Sequence, residues 1–143
     1  MTANAGYFIE DLKPGLSASF TKTVTEADIV KFAEVSGDTN PVHLDQAYAE
    51  KTPFKTRIAH GMLSAGFISA VLGTKLPGPG AIYMSQTLRF KAPVKIGDTV
   101  TATCTVTEII AEKRRAVLST VCKVGDTVVI EGEAMVMVPS RGK

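Results

Sequence analysis

A short stretch from Asp38 to Asp45 contains polar residues that could carry out acid–base chemistry. Asp38, Asn40 and His43 lie close together around Pro41, which stiffens the turn. A carboxylate and an imidazole that converge on one water molecule can share its activation, because one accepts a proton while the other donates one. The alternative is that Asp38 and Asn40 are turn residues that bond to local backbone, and that His43 is an ordinary loop histidine. The spacing alone leaves both interpretations open.

A second candidate site is the pair His60 and Gly61, at the start of a predicted helix. A helix N-terminus presents unpaired backbone N–H groups and a partial positive charge. A glycine there lets a ligand carbonyl approach the backbone closely. Such a fixed donor suits an enolate-like transition state, in which negative charge develops on oxygen. The alternative is that Gly61 only permits close packing and that His60 caps the helix.

The elements expected to position these residues begin with helices. Residues 60–75 form the longest uninterrupted apolar segment, which ends at Pro-Gly-Pro-Gly and predicts a buried helix. A shorter helix should begin at Thr25, a capping residue with Asp28 three positions later, and end at Gly37. Residues 46–51 predict a short helical turn.

Strands make up most of the remainder, and they predict the fold class. In residues 99–107 every odd position is Thr and every even position is apolar, which is typical of a strand with one wet face. Consecutive strands joined by short turns predict an antiparallel meander, which can curl around the long helix. We therefore expect an α+β hot-dog fold in a single domain over residues 1–143, with residues 1–7 loose. The predicted strands cover residues 16–24, 82–92, 99–107, 117–124 and 127–138.

Composition limits the classes of function. The chain has 143 residues, of which 45% are hydrophobic and 21% charged, as expected for one globular domain. The net charge of +2 is too small to suggest nucleic-acid binding. No apolar run could cross a bilayer and the chain start lacks a secretory signal, so a cytoplasmic location without a membrane partner is predicted. Cys104 and Cys122 are predicted to be reduced packing groups.

Positive charge is concentrated in one part of the chain, because no Asp or Glu occurs between Glu50 and Asp98. A segment of one sign can attract an anionic ligand through its summed field. The alternative, favoured on the charge pattern alone, is that these are surface residues whose acidic neighbours lie elsewhere in space. The basic residues are Lys51, Lys55, Arg57, Lys75, Arg89, Lys91 and Lys95.

Motifs for metals, nucleotides and serine nucleophiles do not occur in the sequence. Two histidines with scattered carboxylates form no recognised metal spacing. No Gly-rich phosphate loop follows a predicted strand, and there is no Gly-x-Ser-x-Gly elbow. The sequence therefore predicts chemistry without a metal or a cofactor.

Two motifs together, SGDTNPVHLD at residues 36–45 and RIAHGML at residues 57–63, resemble those of the MaoC-like, (R)-specific enoyl-CoA hydratases. The resemblance covers nearly the whole chain and is greatest to the short bacterial members that supply (R)-3-hydroxyacyl-CoA for polyhydroxyalkanoate synthesis. It implies hydration of a trans-2-enoyl-CoA to an (R)-3-hydroxyacyl-CoA, without a cofactor. Larger relatives carry two hot-dog units and this chain carries one, so a homodimer is also implied.

The resemblance implies roles for individual residues. The family's catalytic aspartate and histidine fall on Asp38 and His43, and its neighbouring asparagine falls on Asn40. The backbone donor to the thioester oxygen falls on Gly61. The resemblance also makes the basic stretch an attractor for the CoA phosphates.

Further along the predicted helix, the resemblance distinguishes two serines, Ser64 and Ser69. Spacing alone does not decide which of them points into a pocket, since a buried helix serine often bonds back to the preceding turn. A helix serine that contacts the active site in close relatives falls on Ser69, which leaves Ser64 as a packing residue. Leu72, one turn beyond Ser69, and Met135 in the last strand are then candidates for the floor of an acyl pocket.

Three other functions fit part of the pattern. A dehydratase that acts on acyl-carrier-protein substrates could share every motif. A hot-dog thioesterase usually depends on a carboxylate on or beside the central helix, and residues 60–75 contain none. A non-catalytic acyl-thioester binding module would keep the pocket and the basic surface but would not need both Asp38 and His43.

Overall fold

The architecture comes from a computed structural model, which describes residues 6–142. Short 3-10 turns at Ile9–Asp11 and Ala111–Lys113 accompany the regular elements. In chain order, the helices and strands of the described residues are β1 (Ser17–Thr23), α1 (Glu26–Ser36), α2 (Pro41–Leu44), α3 (Gln46–Ala49), α4 (Gly61–Thr74), β2 (Ile82–Phe90), β3 (Thr99–Ile110), β4 (Arg115–Val124) and β5 (Thr127–Met137).

The five strands form one antiparallel sheet in the order β1-β3-β4-β5-β2. The predicted meander is confirmed for β3, β4 and β5, which are joined by short turns. It is wrong for β2, which pairs with β5 at the opposite edge from β1. The physical reason is the longer connection at residues 91–98, which lets the chain cross the sheet before β3 begins.

The sheet curves around α4, and the core lies between them. The apolar positions of β3 are buried, and the alternate threonines face away from the core, as the alternation predicted. Ile68 and Val71 of α4 are fully buried against this inner face. This arrangement is the predicted α+β hot-dog fold, with a central helix wrapped by an antiparallel sheet.

Helix α4 is less buried than its composition predicts, because one sheet covers only one side of it. Its open side carries a stripe of Met62, Gly66, Ser69 and Gly73 at helical spacing, all exposed. Met62 is 54% exposed. None of the described helices has the length and apolar content needed to cross a membrane. The cytoplasmic location stays a prediction.

The outer face of β1 and β3 carries a ladder of paired hydroxyl groups. Each pair joins opposite residues of the two strands at an oxygen–oxygen distance between 2.7 and 3.1 Å. We call these eight residues the hydroxyl ladder. Its pairs are Ser17 with Thr105, Ser19 with Thr103, Thr21 with Thr101, and Thr23 with Thr99.

Helix α1 begins and ends where local sequence signals predict. Thr25 Oγ1 accepts a hydrogen bond from the Asp28 N–H, and Asp28 Oδ2 accepts one from the Thr25 N–H, at 3.1 and 3.0 Å. Gly37 ends the helix in the left-handed region, with φ of 82°. This turn directs the chain into the loop that begins at Asp38.

The start of the described chain is held in place rather than loose. The Tyr7 N–H donates to the Pro77 carbonyl at 2.8 Å, which ties this part of the segment to the turn after α4. Residues 1–5 of the segment predicted to be loose lie outside the described residues.

The two cysteines are free thiols in the core, as predicted. Cys104 and Cys122 are both fully buried on neighbouring strands. Burial raises the pKa of Cys104 to about 12 and the pKa of Cys122 to about 11. A thiol that stays protonated near neutral pH is a poor nucleophile, which supports a packing role.

Candidate active site

The loop after α1 is held by bonds between neighbouring residues, and these bonds orient Asp38. The Asp38 N–H donates to Ser36 Oγ at 3.1 Å, and Asp38 Oδ1 accepts from the Asn40 N–H at 3.2 Å. Asn40 Oδ1 accepts from the Val42 N–H at 3.0 Å and thereby caps α2. The interpretation of Asn40 as a turn residue is therefore correct for its side chain. Its backbone, however, fixes the Asp38 carboxylate.

His43 presents one free ring nitrogen to Asp38. Its Nδ1 lies 2.8 Å from the Ile58 carbonyl oxygen, which can only accept, so Nδ1 carries a hydrogen. In the neutral ring this leaves a lone pair on Nε2, which lies 4.0 Å from Asp38 Oδ2. That separation is too long for a direct hydrogen bond, and one water molecule can bridge it. His43 is buried, whereas the Asp38 side chain is about half exposed.

A buried arginine, Arg57, holds the backbone of His43. The Arg57 Nε–H donates to the His43 carbonyl at 2.7 Å, and its Nη1 lies 3.1 Å from Glu26 Oε2. Lys91 similarly lies 3.7 Å from Glu131. For these two residues the structure confirms that basic side chains of the acid-free stretch have acidic neighbours elsewhere in the fold.

His60 is the N-cap residue of α4, and its side chain contacts the same pair. Its side chain makes no capping hydrogen bond, and its Nε2 donates to the backbone carbonyl of Asp38 at 2.9 Å. Its ring stacks on the His43 ring, with centroids 3.9 Å apart and planes at 27°. His60 is 2% exposed, and its Nδ1 has no hydrogen-bond partner among the described residues. The alternative that His60 caps the helix therefore holds for its backbone, which occupies the N-cap position, and not for its side chain.

The potential metal-ligating atoms of Asp38, His43 and His60 lie within 4.8 Å of one another, a separation that a metal site would also have. A ring nitrogen binds a metal along its lone pair, which lies in the ring plane. The two stacked rings direct their lone pairs along nearly parallel planes rather than towards one point. The arrangement therefore fits a bridging water better than a shared metal ion.

Gly61 opens α4 beside the same cluster. As the first residue of the helix, its N–H has no acceptor within the helix. The Phe90 ring occupies the space that a side chain would need, because a Cβ on Gly61 would lie 2.5 Å from Phe90 Cε1. A glycine is thus required here unless Phe90 moves.

These groups meet at one cavity of about 660 Å³. Asp38, His43, His60 and Gly61 line it, which brings both candidate sites of the sequence together. Among the described residues, Asp38 is the only carboxylate in its lining. The remaining walls are mostly apolar and include Phe32, Phe54, Ile58, Phe90, Val94 and Val129.

Three predicted site residues lie outside the cavity in the single chain. Ser69 is on the open side of α4 and is exposed. Leu72 is 2% exposed within the core and does not line this cavity. Met135 lies on the outer face of β5, because its neighbours Ala134 and Val136 are both buried. The expected pocket floor of Leu72 and Met135 is therefore not formed by one chain.

Of the two serines of α4, Ser64 is the one that lines the cavity, although the resemblance leaves it as a packing residue. It is 1% exposed, and its Oγ finds no hydrogen-bond partner in the part of the chain that the structure describes. Ser64 lies about one helical turn after Gly61, so the two share a face of α4. Ser69 lies about 140° further around the helix axis. Measured from Gly61, however, Ser64 lies about 60° and Ser69 about 80° around the axis, so the spacing alone does not identify Ser64 and only the packing of α4 does.

Comparisons with known proteins agree with this geometry. The family model described as MaoC like domain matches residues 11–131. An (R)-specific enoyl-CoA hydratase of Rhodospirillum rubrum is 65% identical over 95% of this chain and 94% of its own length. A 3-hydroxybutyryl-CoA dehydratase of Methylorubrum extorquens is 56% identical over 94% of this chain and 85% of its own.

A solved structure extends the agreement to three dimensions. The R-hydratase of Pseudomonas aeruginosa in its unliganded form superposes with a TM-score of 0.90 at 47% sequence identity. The match covers 95% of this chain and 88% of that one. The family model covers most of the chain, and the two relatives are each more than half identical to it. The chain therefore belongs to the MaoC-like family.

Proposed function

We propose that this chain catalyses the (R)-specific hydration of a trans-2-enoyl-CoA to an (R)-3-hydroxyacyl-CoA. The observation that carries the proposal is the 4.0 Å separation between His43 Nε2 and Asp38 Oδ2, beside the first residue of α4. The names of the two relatives support it, since a hydratase and a dehydratase catalyse the same reaction in opposite directions. Such enzymes are hydro-lyases.

The thioester carbonyl is held at the start of α4 in this mechanism. The enoyl group enters the cavity with its carbonyl oxygen at the Gly61 N–H, which the positive end of the helix reinforces. This contact draws electron density away from the β-carbon and stabilises the enolate-like transition state. The mostly apolar walls exclude bulk water from the acyl group.

Water addition is assigned to Asp38 and His43. The two side chains hold one water molecule between Oδ2 and Nε2, against the β-carbon. One of them accepts a proton from the water as the new C–O bond forms, and a proton is delivered to the α-carbon. The pair acts as one acid–base unit, because coupled groups exchange protons jointly.

We also propose that the active form is a homodimer. The edge strand β2 exposes Ile82, Tyr83 and Met84, at 59%, 41% and 41%. The open side of α4 is exposed as well, and a symmetric partner could cover both surfaces. Light scattering at micromolar concentration is expected to give twice the chain mass. A monomer mass would contradict the dimer.

Incubation with crotonyl-CoA tests the activity. Loss of the enoyl absorbance without release of free thiol is expected, and chiral analysis should identify (R)-3-hydroxybutyryl-CoA. Release of thiol would instead indicate a thioesterase, and binding without turnover would indicate a non-catalytic module. The buried Cys104 and Cys122 should contribute little background to the thiol assay.

The acyl carrier needs a separate comparison, since the acyl-carrier-protein dehydratases share the motifs. We expect a higher kcat/KM for crotonyl-CoA than for the same acyl group on an acyl carrier protein. Lys91 supports this choice, because it lines the cavity and could attract the CoA phosphates in place of its surface contact with Glu131. A clear preference for the carrier protein would assign the chain to the dehydratases.

A further inference from the structure

His60 contacts both members of the proposed acid–base pair, yet the mechanism above gives its side chain no task. Its Nε2 lies 2.9 Å from the Asp38 carbonyl oxygen, and its ring stacks on that of His43. His60 also directly precedes Gly61, the proposed donor to the thioester oxygen. One buried side chain therefore connects all parts of the proposed site.

The hydrogen bond to Asp38 sets the protonation of the His60 ring. A carbonyl oxygen can only accept, so Nε2 carries the hydrogen, and Nδ1 of the neutral ring keeps its lone pair. His43 is the reverse, with its hydrogen on Nδ1 towards Ile58. The two histidines of the chain are thus predicted to be opposite tautomers.

The position of Asp38 depends strongly on its hydrogen bond from His60. The hydrogen bonds to Ser36 and Asn40 join it only to residues two positions away along the chain. Among the described residues, the only hydrogen bond that Asp38 makes to a residue distant in sequence is the one from His60. The carboxylate is about half exposed, so little packing restrains it. His60 is therefore the link that ties the Asp38 backbone to the rigid start of α4.

His43 is restrained by the same ring. Its Nδ1–H and its carbonyl are bonded to Ile58 and Arg57, which hold its inner edge and its backbone. The stacked His60 ring covers one face and limits rotation of the imidazole. His60 in turn packs on Phe32, with ring centroids 4.7 Å apart. The position of Nε2 relative to Asp38 thus depends on the stack.

We propose that His60 is a positioning residue, which sets the separation between Asp38 and His43 by bonding to one and stacking on the other. The proposal rests on the proposed hydration by this pair. Because the side chain of His60 acts on the groups that hold water and not on the thioester, its loss should lower kcat and leave KM nearly unchanged. Small misplacements of catalytic groups can cost about 10²-fold in rate.

Two substitutions separate the hydrogen bond from the stack. His60→Gln keeps a side-chain N–H but removes the ring, and His60→Phe keeps an aromatic ring but removes the donor. We expect each to lower kcat by about 10–100-fold with KM within about twofold, measured on crotonyl-CoA. Thr74→Ala, at the far end of α4 and outside the cavity lining, is the matched control and should keep normal kinetics. Circular dichroism and thermal melting establish that each variant folds.

A double-variant cycle distinguishes positioning from general damage. If His60 acts through Asp38, adding His60→Phe to Asp38→Asn should lower single-turnover rates little further, because effects within one unit are not additive. A merely structural role would multiply the two losses. Multiplied losses, or near-normal kcat in both single His60 variants, would overturn the positioning role.

A spectroscopic measurement tests the same inference without any assay of activity. With only two histidines in the chain, nitrogen-15 NMR of the rings should resolve one Nδ1–H and one Nε2–H tautomer. Replacing His60 should remove the Nε2–H signal and shift the His43 resonances. An Nδ1–H tautomer at His60 would overturn its bond to Asp38. A wild-type chain with the expected tautomers but no hydration of crotonyl-CoA would instead refute the proposed function, and the role of His60 in it.

Discussion

Two regions of this molecule differ in how far their polar side chains are hydrogen-bonded. In the hydroxyl ladder on the outer face of the sheet, all eight hydroxyls are paired, although water could satisfy them there. At the cavity, Ser64 Oγ and His60 Nδ1 are buried and have no hydrogen-bond partner within residues 6–142. In these two regions, hydroxyls that solvent could reach are paired within the sheet, whereas two buried polar atoms beside the cavity are not paired among the described residues.

This difference separates polar groups that stabilise the fold from those available to a ligand. A buried polar group without a partner costs about 1–3 kcal/mol, so folding alone does not favour it. Arg115 Nε is a third such atom among the described residues, at the start of β4. A single unpaired buried polar atom therefore does not indicate a site. Two such atoms beside a carboxylate and an imidazole indicate a candidate site.

The largest effects should come from the pair itself. Asp38→Asn and His43→Gln keep approximate shape but remove proton exchange, so each should lower kcat by about 10²–10⁴. If both act on one water molecule, the double variant should be little worse than the worse single one. Steady-state kinetics with crotonyl-CoA measure the three variants.

Asp45→Asn is the matched control for Asp38→Asn. Asp45 also caps a turn through its carboxylate, which accepts from the Tyr48 N–H, but it does not line the cavity. The Asp45→Asn variant should keep nearly normal turnover.

Two outcomes would contradict the role of the pair. Near-normal turnover in Asp38→Asn or His43→Gln would remove that residue from the mechanism. Fully multiplicative losses in the double variant would place Asp38 and His43 in separate steps.

The next effect should come from the backbone donor at Gly61. Gly61→Ala and Gly61→Pro both add a Cβ that meets Phe90, but only Gly61→Pro deletes the N–H. Proline is tolerated at the first position of a helix, so α4 should still form. The ratio of the two kcat values isolates the amide and is expected to be about 10²–10³. Equal rates in two folded variants would reject the donor role.

A smaller effect, with opposite signs for activity and stability, is expected at Ser64. Ser64→Ala removes an unpaired buried hydroxyl, so Tm should stay the same or rise. If the hydroxyl donates to bound substrate, kcat/KM should fall by about 2–10-fold, the value of one ordinary hydrogen bond. Unchanged kinetics would leave Ser64 as the packing residue first expected.

Ser69→Ala provides the comparison for Ser64→Ala on the same helix. Ser69 is exposed and outside the cavity of the single chain, so its loss should have the smaller effect on kcat/KM. A larger loss at Ser69 than at Ser64 would restore the role implied by the family resemblance. It would then require that the assembled dimer extends the site to the open side of α4.

The smallest effect should come from the hydroxyl ladder. Thr101→Ala breaks the pair with Thr21, whose oxygens are 3.0 Å apart. Cross-strand pairs contribute about 0.2–1 kcal/mol, so urea denaturation should detect a small loss of stability. Turnover of crotonyl-CoA should not change. A drop in kcat would break the distinction between paired outer hydroxyls and the cavity.

Local sequence signals predicted much of this fold because they depend on neighbouring residues. The Thr25–Asp28 cap, the left-handed Gly37 and the alternation of β3 all behave as expected. The place of β2 at the far edge of the sheet could not be predicted in the same way. Strand order depends on which distant segments pair, and residues 91–98 carry no signal that selects β5 over β3.

The sequence by itself determined which groups could do chemistry and the short turn that holds Asp38 and His43 near each other. Proline, glycine and side-chain caps set such a turn through bonds a few residues long. Only the tertiary structure decided that His60, 22 residues from Asp38 along the chain, donates to its carbonyl. It likewise decided that Ser64 lines the cavity and Ser69 does not, because the face of α4 that becomes enclosed depends on where the sheet packs.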